Sequence, residues 1–287
     1  PTLDAIYTSN SLIFQSAFAG AIPLYTQVAM TVPSTSDKQS YAFLGAFPKM
    51  REWLGDRTIQ NLSTHDFTIK NRDFESTIEI DRNAIEDDTI GVYRPVIQEF
   101  ARVAALHPDE LIFSLFKGGL TADCYDGKKF FATNHPVNGV SVSNLDDSSS
   151  TPWYLLDLSR YVRPFVFQTR RPVQFTALDS MTDYNTFFKK KYLYGLDARY
   201  NAGYGLWQMA FRSEKALDAT NYWDAKSQMN AFKDDSGKIL GINPTLLVIP
   251  PSLEADAMEL FKATQLASGA SNTLFDNVKY LVVPGLE

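Results

Sequence analysis

The sequence predicts an α+β protein, and three stretches carry that prediction. Residues 87–119 have the apolar period of one long amphipathic helix, residues 153–212 hold several aromatic strands, and the C-terminal stretch reads strand, helix, strand. Composition agrees with this, since the 287 residues are 45% hydrophobic and 21% charged, enough to bury a sizeable core in one or two domains. The aromatic share of 13%, with 20 Phe and 14 Tyr, suits either a core or a large interface.

The long helix organises the chain. Val92, Val96, Phe100, Val103 and Ala104 recur at three and four, and Leu111, Ile112, Leu115 and Phe116 continue the stripe. Pro95 falls in the first turn. Pro108 deprives the Ala104 carbonyl of its partner, so it either bends the rod or starts a second helix with Asp109 and Glu110 in its first turn. Gly118 and Gly119 end the pattern. About 30 helical residues span roughly 45 Å, longer than a small domain needs, so the helix reads as a beam on which other elements are mounted.

Residues 1–40 read as an arm. Ser11 is placed to cap a short helix through Phe14, Ala17 and Phe18, after which Gly20, Pro23, Pro33 and the string STSDKQS break regular structure. Its apolar residues have little local company, so the arm either packs back on its own body or lies across a neighbour. Residues 41–85 read as a protruding hairpin in which Phe67 and Ile69, then Phe74, Ile78 and Ile80, alternate with polar residues. Trp53 stands there among Lys49, Arg51, Glu52, Asp56 and Arg57. That cluster is either a solvated turn with one buried indole or an intersubunit contact anchored by Trp53, with the charges setting register.

Residues 120–152 are rich in Gly, Ser, Asn and Asp and read as loop, with a short hairpin at YDGKKFF turning on Asp126-Gly127. Beyond a boundary at Ser148–Pro152, strands are expected in WYLLDLSR, RPFVFQT, RPVQFTAL, FFKKKYLYGLDARYNAG and YGLWQMAFRS, with bulges or close backbone approach at Gly195, Gly203 and Gly205. A helix around Asn221 to Phe232, a strand Thr245 to Ile249, a helix after Ser252 and a strand Tyr280 to Val283 complete a small α/β layer.

Chemistry is sparse. A formal net charge of -6 argues against a surface built to neutralise phosphates, so nucleic acid would be held only weakly and nonspecifically. The single cysteine, Cys124, excludes an intramolecular disulfide and a Cys-rich zinc site. Cys124, with His135 eleven residues on and Asp123 or Asp126 to orient the imidazole, is the best nucleophile arrangement. An inert thiol beside a local hydrogen bonder is the simpler reading, and no catalytic residue is assigned. His65, His107 and His135 fit no metal-binding frame, and GYGLWQ lacks the phosphate-cradling glycine pattern, so neither metal nor cofactor is assigned. Asp87-Asp88 fits a helix N-terminus and Asp146-Asp147 a solvated loop. Lys189, Lys190 and Lys191, between Phe188 and Tyr192, read as an exposed strand edge or a phosphate contact. No run of 18 apolar residues exists and the start PTLDAIYTSN lacks signal-peptide regions, so a soluble chain assembled in a cytoplasm, with no membrane partner, is expected.

The blocks FPKMREWLGDRTI (47–59), IEDDTIGVY (85–93), HPDELI (107–112), CYDGKKFFATNHPV (124–137), PWYLLDLSR (152–160), NAGYGLWQMA (201–210) and PTLLVIPPSLE (244–254) resemble, in this order, the Mu-type major head subunit family. The resemblance runs from about residue 10 to 283. It implies a major capsid protein of a tailed phage or Mu-like prophage, with a Hong Kong 97-like capsid fold. Such a chain self-assembles into pentamers and hexamers of an icosahedral shell around double-stranded DNA, in the virion, after assembly in the bacterial host cytoplasm.

The implied partners are the chain itself, a scaffolding protein, a portal, a decoration protein and packaged DNA through weak nonspecific contact. The family fold gives 1–40 the role of N-terminal arm and 41–85 that of extended loop. The spine helix 86–119 and the long strands of 153–212 become the peripheral domain, and 120–152 with 213–287 the axial domain. This order departs from better-known relatives, whose long peripheral strands come near the C-terminus. Lys49, Arg51, Glu52, Trp53, Asp56 and Arg57 become intersubunit contacts, and Pro108, Gly118 and Gly119 the place where the chain flexes between five-fold and six-fold surroundings. Some relatives weld subunits through Lys to Asn bonds. Lys49 and Lys70 fall in the loop, but no acidic catalyst matches, so noncovalent contacts are expected. An encapsulin-like compartment shell is the alternative with the same architecture.

Overall fold

The structure is a computed structural model that describes residues 3–44, 64–87, 91–234, 237–266 and 268–286. The arm carries more regular structure than one short helix capped by Ser11. Helix α1 (Leu3–Gly20) and the one-turn α2 (Tyr25–Val28) lead into strand β1 (Ala29–Pro33). It also packs back on its own body, because Phe14 is buried against Ile97, Ala101 and Leu196 and stacks on Phe175 with ring centres 4.7 Å apart. Val28 and Ala29 are buried as well, so the arm supplies part of the subunit core.

Strands β2 (Lys38–Leu44) and β3 (Thr64–Lys70) pair antiparallel, as the alternation of Phe67 and Ile69 predicts. Strand β4 (Arg72–Asp81) leaves that hairpin for another sheet, and α3 (Arg82–Glu86) follows, with Asp81 capping it by accepting the Asn83 N–H. Asp87 therefore follows a helix and does not open one.

The beam is α4 (Tyr93–Gly118), 26 residues and continuous through Pro108. At 1.5 Å per residue it spans about 39 Å. Burial explains why Pro108 starts no second helix: Ile97, Ala101, Ala105, Pro108, Ile112, Phe113 and Phe116 are all buried along one stripe, so packing on both sides of the proline holds the rod together. Before Pro108 the buried stripe is rotated by one residue from the expected one, leaving Val92, Val96 and Val103 exposed, whereas beyond it Ile112 and Phe116 are buried as expected. The small Ala101 and Ala105 let α1 and the sheet approach closely, which valine in that row would prevent. Asp109 accepts the Leu24 and Tyr25 N–H groups at 2.9 and 2.7 Å, tying the arm to the beam.

Next come β5 (His135–Val137), β6 (Val140–Val142), β7 (Leu145–Asp146) and β8 (Trp153–Leu156). The turn between β5 and β6 is Asn138-Gly139, with both residues at positive φ, a hairpin signal that the sequence reading passes over. The segments RPFVFQT and RPVQFTAL form one 14-residue strand, β9 (Phe165–Leu178), instead of two. Pro172 survives there because it sits in a bulge, where Pro172 and Val173 face Ala198 alone. Helix α5 (Tyr184–Lys189) caps the hairpin to β10 (Lys191–Tyr204), where one uninterrupted strand was expected. Strand β11 (Ala210–Ser213), α6 (Ala219–Asn230), β12 (Leu246–Ile249), α7 (Glu254–Lys262) and β13 (Lys279–Val282) complete the chain, and β12 and β13 pair parallel across α7 as a strand–helix–strand unit requires.

Two main sheets result. One runs β1-β9-β10-β4, with α1 and α4 on one face, and the other runs β13-β12-β8-β11-β7. The second sheet takes in β8 and β11, which the sequence reading groups with the long strands. A single apolar cluster joins the two layers through Phe116, whose ring centre lies 4.3 Å from Phe165 and 4.9 Å from Tyr154.

Candidate functional site

The Cys124 and His135 pair is the first place to look for chemistry, and the structure assigns both residues to packing. The loop around Asp126-Gly127 turns as predicted, with the Cys124 N–H donating to the Lys128 carbonyl at 2.6 Å. Cys124 is buried beside the Gly205 carbonyl, and burial, reinforced by the Asp126 charge, pushes its thiol far above the ordinary range. A thiol held that way is no nucleophile. Asp123 is engaged by Lys129 at 2.8 Å.

His135 is fully buried, and both ring nitrogens face acceptors: Asp126 Oδ2 at 2.6 Å from Nδ1 and Asn144 Oδ1 at 3.1 Å from Nε2. Asn144 cannot reverse that role. Its amide nitrogen donates to the Phe130 carbonyl at 2.8 Å and its Oδ1 accepts the Ala132 N–H at 2.9 Å. The His135 Nδ1–H therefore donates to the Asp126 carboxylate, in a close and buried pair. Burial acts to raise the Asp126 carboxyl, yet the His135 hydrogen bond and charge and nearby backbone N–H groups carry it below its ordinary value. The ring stacks on Trp207 with centres 3.9 Å apart. This cluster clamps the 124–144 loop to the turn before β11, and nothing in it is free to react.

Several of the remaining polar candidates are likewise occupied, and the His65 side chain lies outside the described residues. His107 Nδ1 and the Tyr200 hydroxyl share a hydrogen bond at 2.7 Å, and burial, offset in part by Glu110, lowers the His107 pKa. Among the described residues, no group of three His, Cys, Asp or Glu side chains is placed to hold a metal ion, and no helix is long and apolar enough to cross a membrane. Lys191 pairs with Glu79 at 2.8 Å across the β4–β10 ladder, while Lys189 lies over the Tyr184 ring. Asp146 is bound by Lys215 at 3.2 Å.

The expected contact residues Lys49, Arg51, Glu52, Trp53, Asp56 and Arg57 lie outside the described residues. The expected flexing positions are all in view. Pro108 is buried inside α4, and Gly119 keeps an ordinary helical φ of -63°, so its glycine serves close approach rather than a left-handed cap. A Cβ there would stand 2.5 Å from the Phe131 ring. Gly205 has the same duty toward the Arg163 carbonyl.

What the subunit does offer outward is apolar surface. Val92, Val96 and Val103 line the open side of α4, and Tyr184, Phe187 and Phe188 stand exposed at the end of the β9–β10 hairpin. The sequence reading misses the second group by taking FFKKK as strand, although Asp183 is a helix-capping residue type in the right place.

Residues 3–286 match the family described as Mu-like prophage major head subunit gpT. The chain is 40% identical to the major capsid protein of Escherichia phage Mu, over 96% of this chain and 93% of that protein. It is also similar to the subunit in the procapsid of bacteriophage JBD30, with 40% identity, a TM-score of 0.87, and 98% and 97% of the two chains covered. The subunit in the JBD30 capsid decorated with minor capsid protein trimers aligns with a TM-score of 0.77 and 32% identity, over 92% and 90% of the two chains. The chain belongs to the Mu-like prophage major head subunit gpT family.

Proposed function

We infer that the chain is the major capsid protein of a Mu-like phage or prophage head, a structural component of the virion without catalytic turnover. The observation that carries this is the similarity to the JBD30 procapsid subunit over 98% of the chain at a TM-score of 0.87. We read the fold as Hong Kong 97-like and the shell as an icosahedron of pentamers and hexamers around double-stranded DNA. The net charge of -6 supports a wall that holds DNA only weakly.

The division into arm 1–40, extended loop 41–85, peripheral domain 86–119 with 153–212, and axial domain 120–152 with 213–287 belongs to this reading. So do contacts through Lys49, Arg51, Glu52, Trp53, Asp56 and Arg57. One chain occupying two ring geometries needs a compliant point, and we place it at Pro108, Gly118 and Gly119, where the beam passes its proline and meets Phe131 and Tyr204. A scaffolding protein, a portal and a decoration protein are its partners in this reading. The minor capsid protein trimers on the JBD30 capsid support the last of these.

The test is electron microscopy and sedimentation of the chain expressed alone and with its scaffolding protein. Shells, tubes or rings are expected, and a monodisperse monomer under both conditions overturns the reading. In the same assay Trp53→Ala leaves a folded, assembly-defective subunit, whereas normal particles remove Trp53 from the contact. A denaturing gel of particles shows only monomer if the contacts are noncovalent.

A further inference from the structure

The β9–β10 hairpin ends in a knob of exposed aromatic rings. Helix α5 buries only Thr186, while Tyr184, Phe187 and Phe188 are each close to 70% exposed. The rings touch one another instead of the core: the ring centres of Tyr184 and Phe188, and of Phe187 and Phe188, are both 4.9 Å apart. At about 200 Å² for each aromatic side chain, that exposure leaves roughly 400 Å² of contiguous apolar surface, the size at which a patch on a soluble chain has a use.

Charge and area identify the occupant. Asp183 stands at the N-terminal end of α5 and Lys189 and Lys190 at the other, about 9 Å away at 1.5 Å per residue. Lys191 is already taken by Glu79. Acidic and basic flanks on either side of an apolar centre make the tip complementary to a rotated copy of itself, basic end against acidic end. The patch is also only half of the roughly 800 Å² per partner that holds a stable pair, so it suits a contact repeated many times in a closed assembly rather than a dimer in solution.

We propose that the α5 tip is a contact between copies of this chain, the rings of one tip seating against the same tip of a neighbour. The proposal rests on the shell-building reading above. In the full chain, Phe188→Cys is treated with a short bismaleimide, in purified particles and in unassembled chains; Tyr161→Cys, on the loop after β8 and 99% exposed, is the control. The buried Cys124 stays unreactive. Chain-to-chain dimers through position 188, at least ten-fold more abundant in particles than in unassembled chains or than through position 161, are expected.

A position 188 that stays single in intact particles, or links to a different protein, overturns the proposal. A second variant keeps it falsifiable if Phe188→Cys disturbs assembly. Phe187→Ser with Phe188→Ser is expected to melt like the parent and to form at least ten-fold fewer closed particles, and a normal particle yield overturns the contact. If the parent chain forms no particles with its scaffolding protein, the shell reading fails and this contact falls with it. Parent particles whose tips do not link reject the contact alone.

Discussion

The two sheets differ in how much of each is finished within one chain. In the five-stranded sheet, β8, β11 and β12 are buried at every position, whereas β4 in the four-stranded sheet is buried at one position in ten and β9 alternates from Thr169 onward. The first layer reads as continuous apolar runs such as WYLL and LLVI, because both its faces are covered. The second keeps one face for α1 and α4 and presents the other, with its tip, to the outside. Stability in the first layer is thus local to the subunit, while part of the second layer's apolar surface stays exposed.

The widest gap between the layers should appear where they meet. Phe116 is fully buried between Tyr154 of one sheet and Phe165 of the other. Phe116→Ala is expected to cost about 3–5 kcal/mol in urea unfolding of the unassembled subunit. A loss below about 1 kcal/mol would mean that the layers are stable independently.

The Asp126–His135 pair tests whether the 124–144 loop is clamped electrostatically to the turn before β11. Asp126→Asn removes the carboxylate that accepts the buried His135 Nδ1–H and is expected to cost about 3 kcal/mol near neutral pH. Because the folded carboxyl is held below its ordinary value, the unfolded chain binds more protons in the window between the two values. The stabilisation is therefore complete above the ordinary carboxyl range and is lost as pH falls through the folded value. Stability measured against pH should lose that acid limb in Asp126→Asn, and a curve parallel to the parent's would show that the clamp is packing alone.

A smaller effect is expected at the end of α4. Gly119→Ala places a methyl 2.5 Å from the Phe131 ring, and Phe131 is 1% exposed with nowhere to retreat. Overpacking of this kind costs about 1–3 kcal/mol. Phe131→Leu in the same chain should recover part of it, and additive losses would refute the clash.

These cases show what the sequence makes legible and what it does not. The beam, the strand–helix–strand unit and the turn at Asp126-Gly127 follow from local periodicity and turn chemistry, and they stand where expected. The shell function comes from motif blocks such as HPDELI and NAGYGLWQMA and from no physical period. The single strand through Pro172 was illegible because its tolerance depends on a bulge opposite Ala198, a partner far along the chain. The tip was illegible because an exposed aromatic run and a strand edge look alike until burial is known.

The helix phase is the sharpest instance and the smallest expected effect. In α4 the sequence offers two apolar rows one residue apart, Val92, Val96 and Val103 in one and Ile97, Ala101 and Ala105 in the other, and larger side chains favour the first row. The structure buries the second, with Ile97 1% and Val96 45% exposed, because small residues admit α1 at close range. Val96→Ala should therefore change unfolding free energy by no more than about 0.5 kcal/mol, beside about 2–4 kcal/mol for Ile97→Ala. Equal losses would return the helix to the phase read from its valines and place the α1 contact on the wrong face. A silent Val96→Ala in the free subunit, coupled with weaker assembly, would instead mark the valine row as surface kept for a neighbour, extending the unfinished side of the molecule from the tip along the beam.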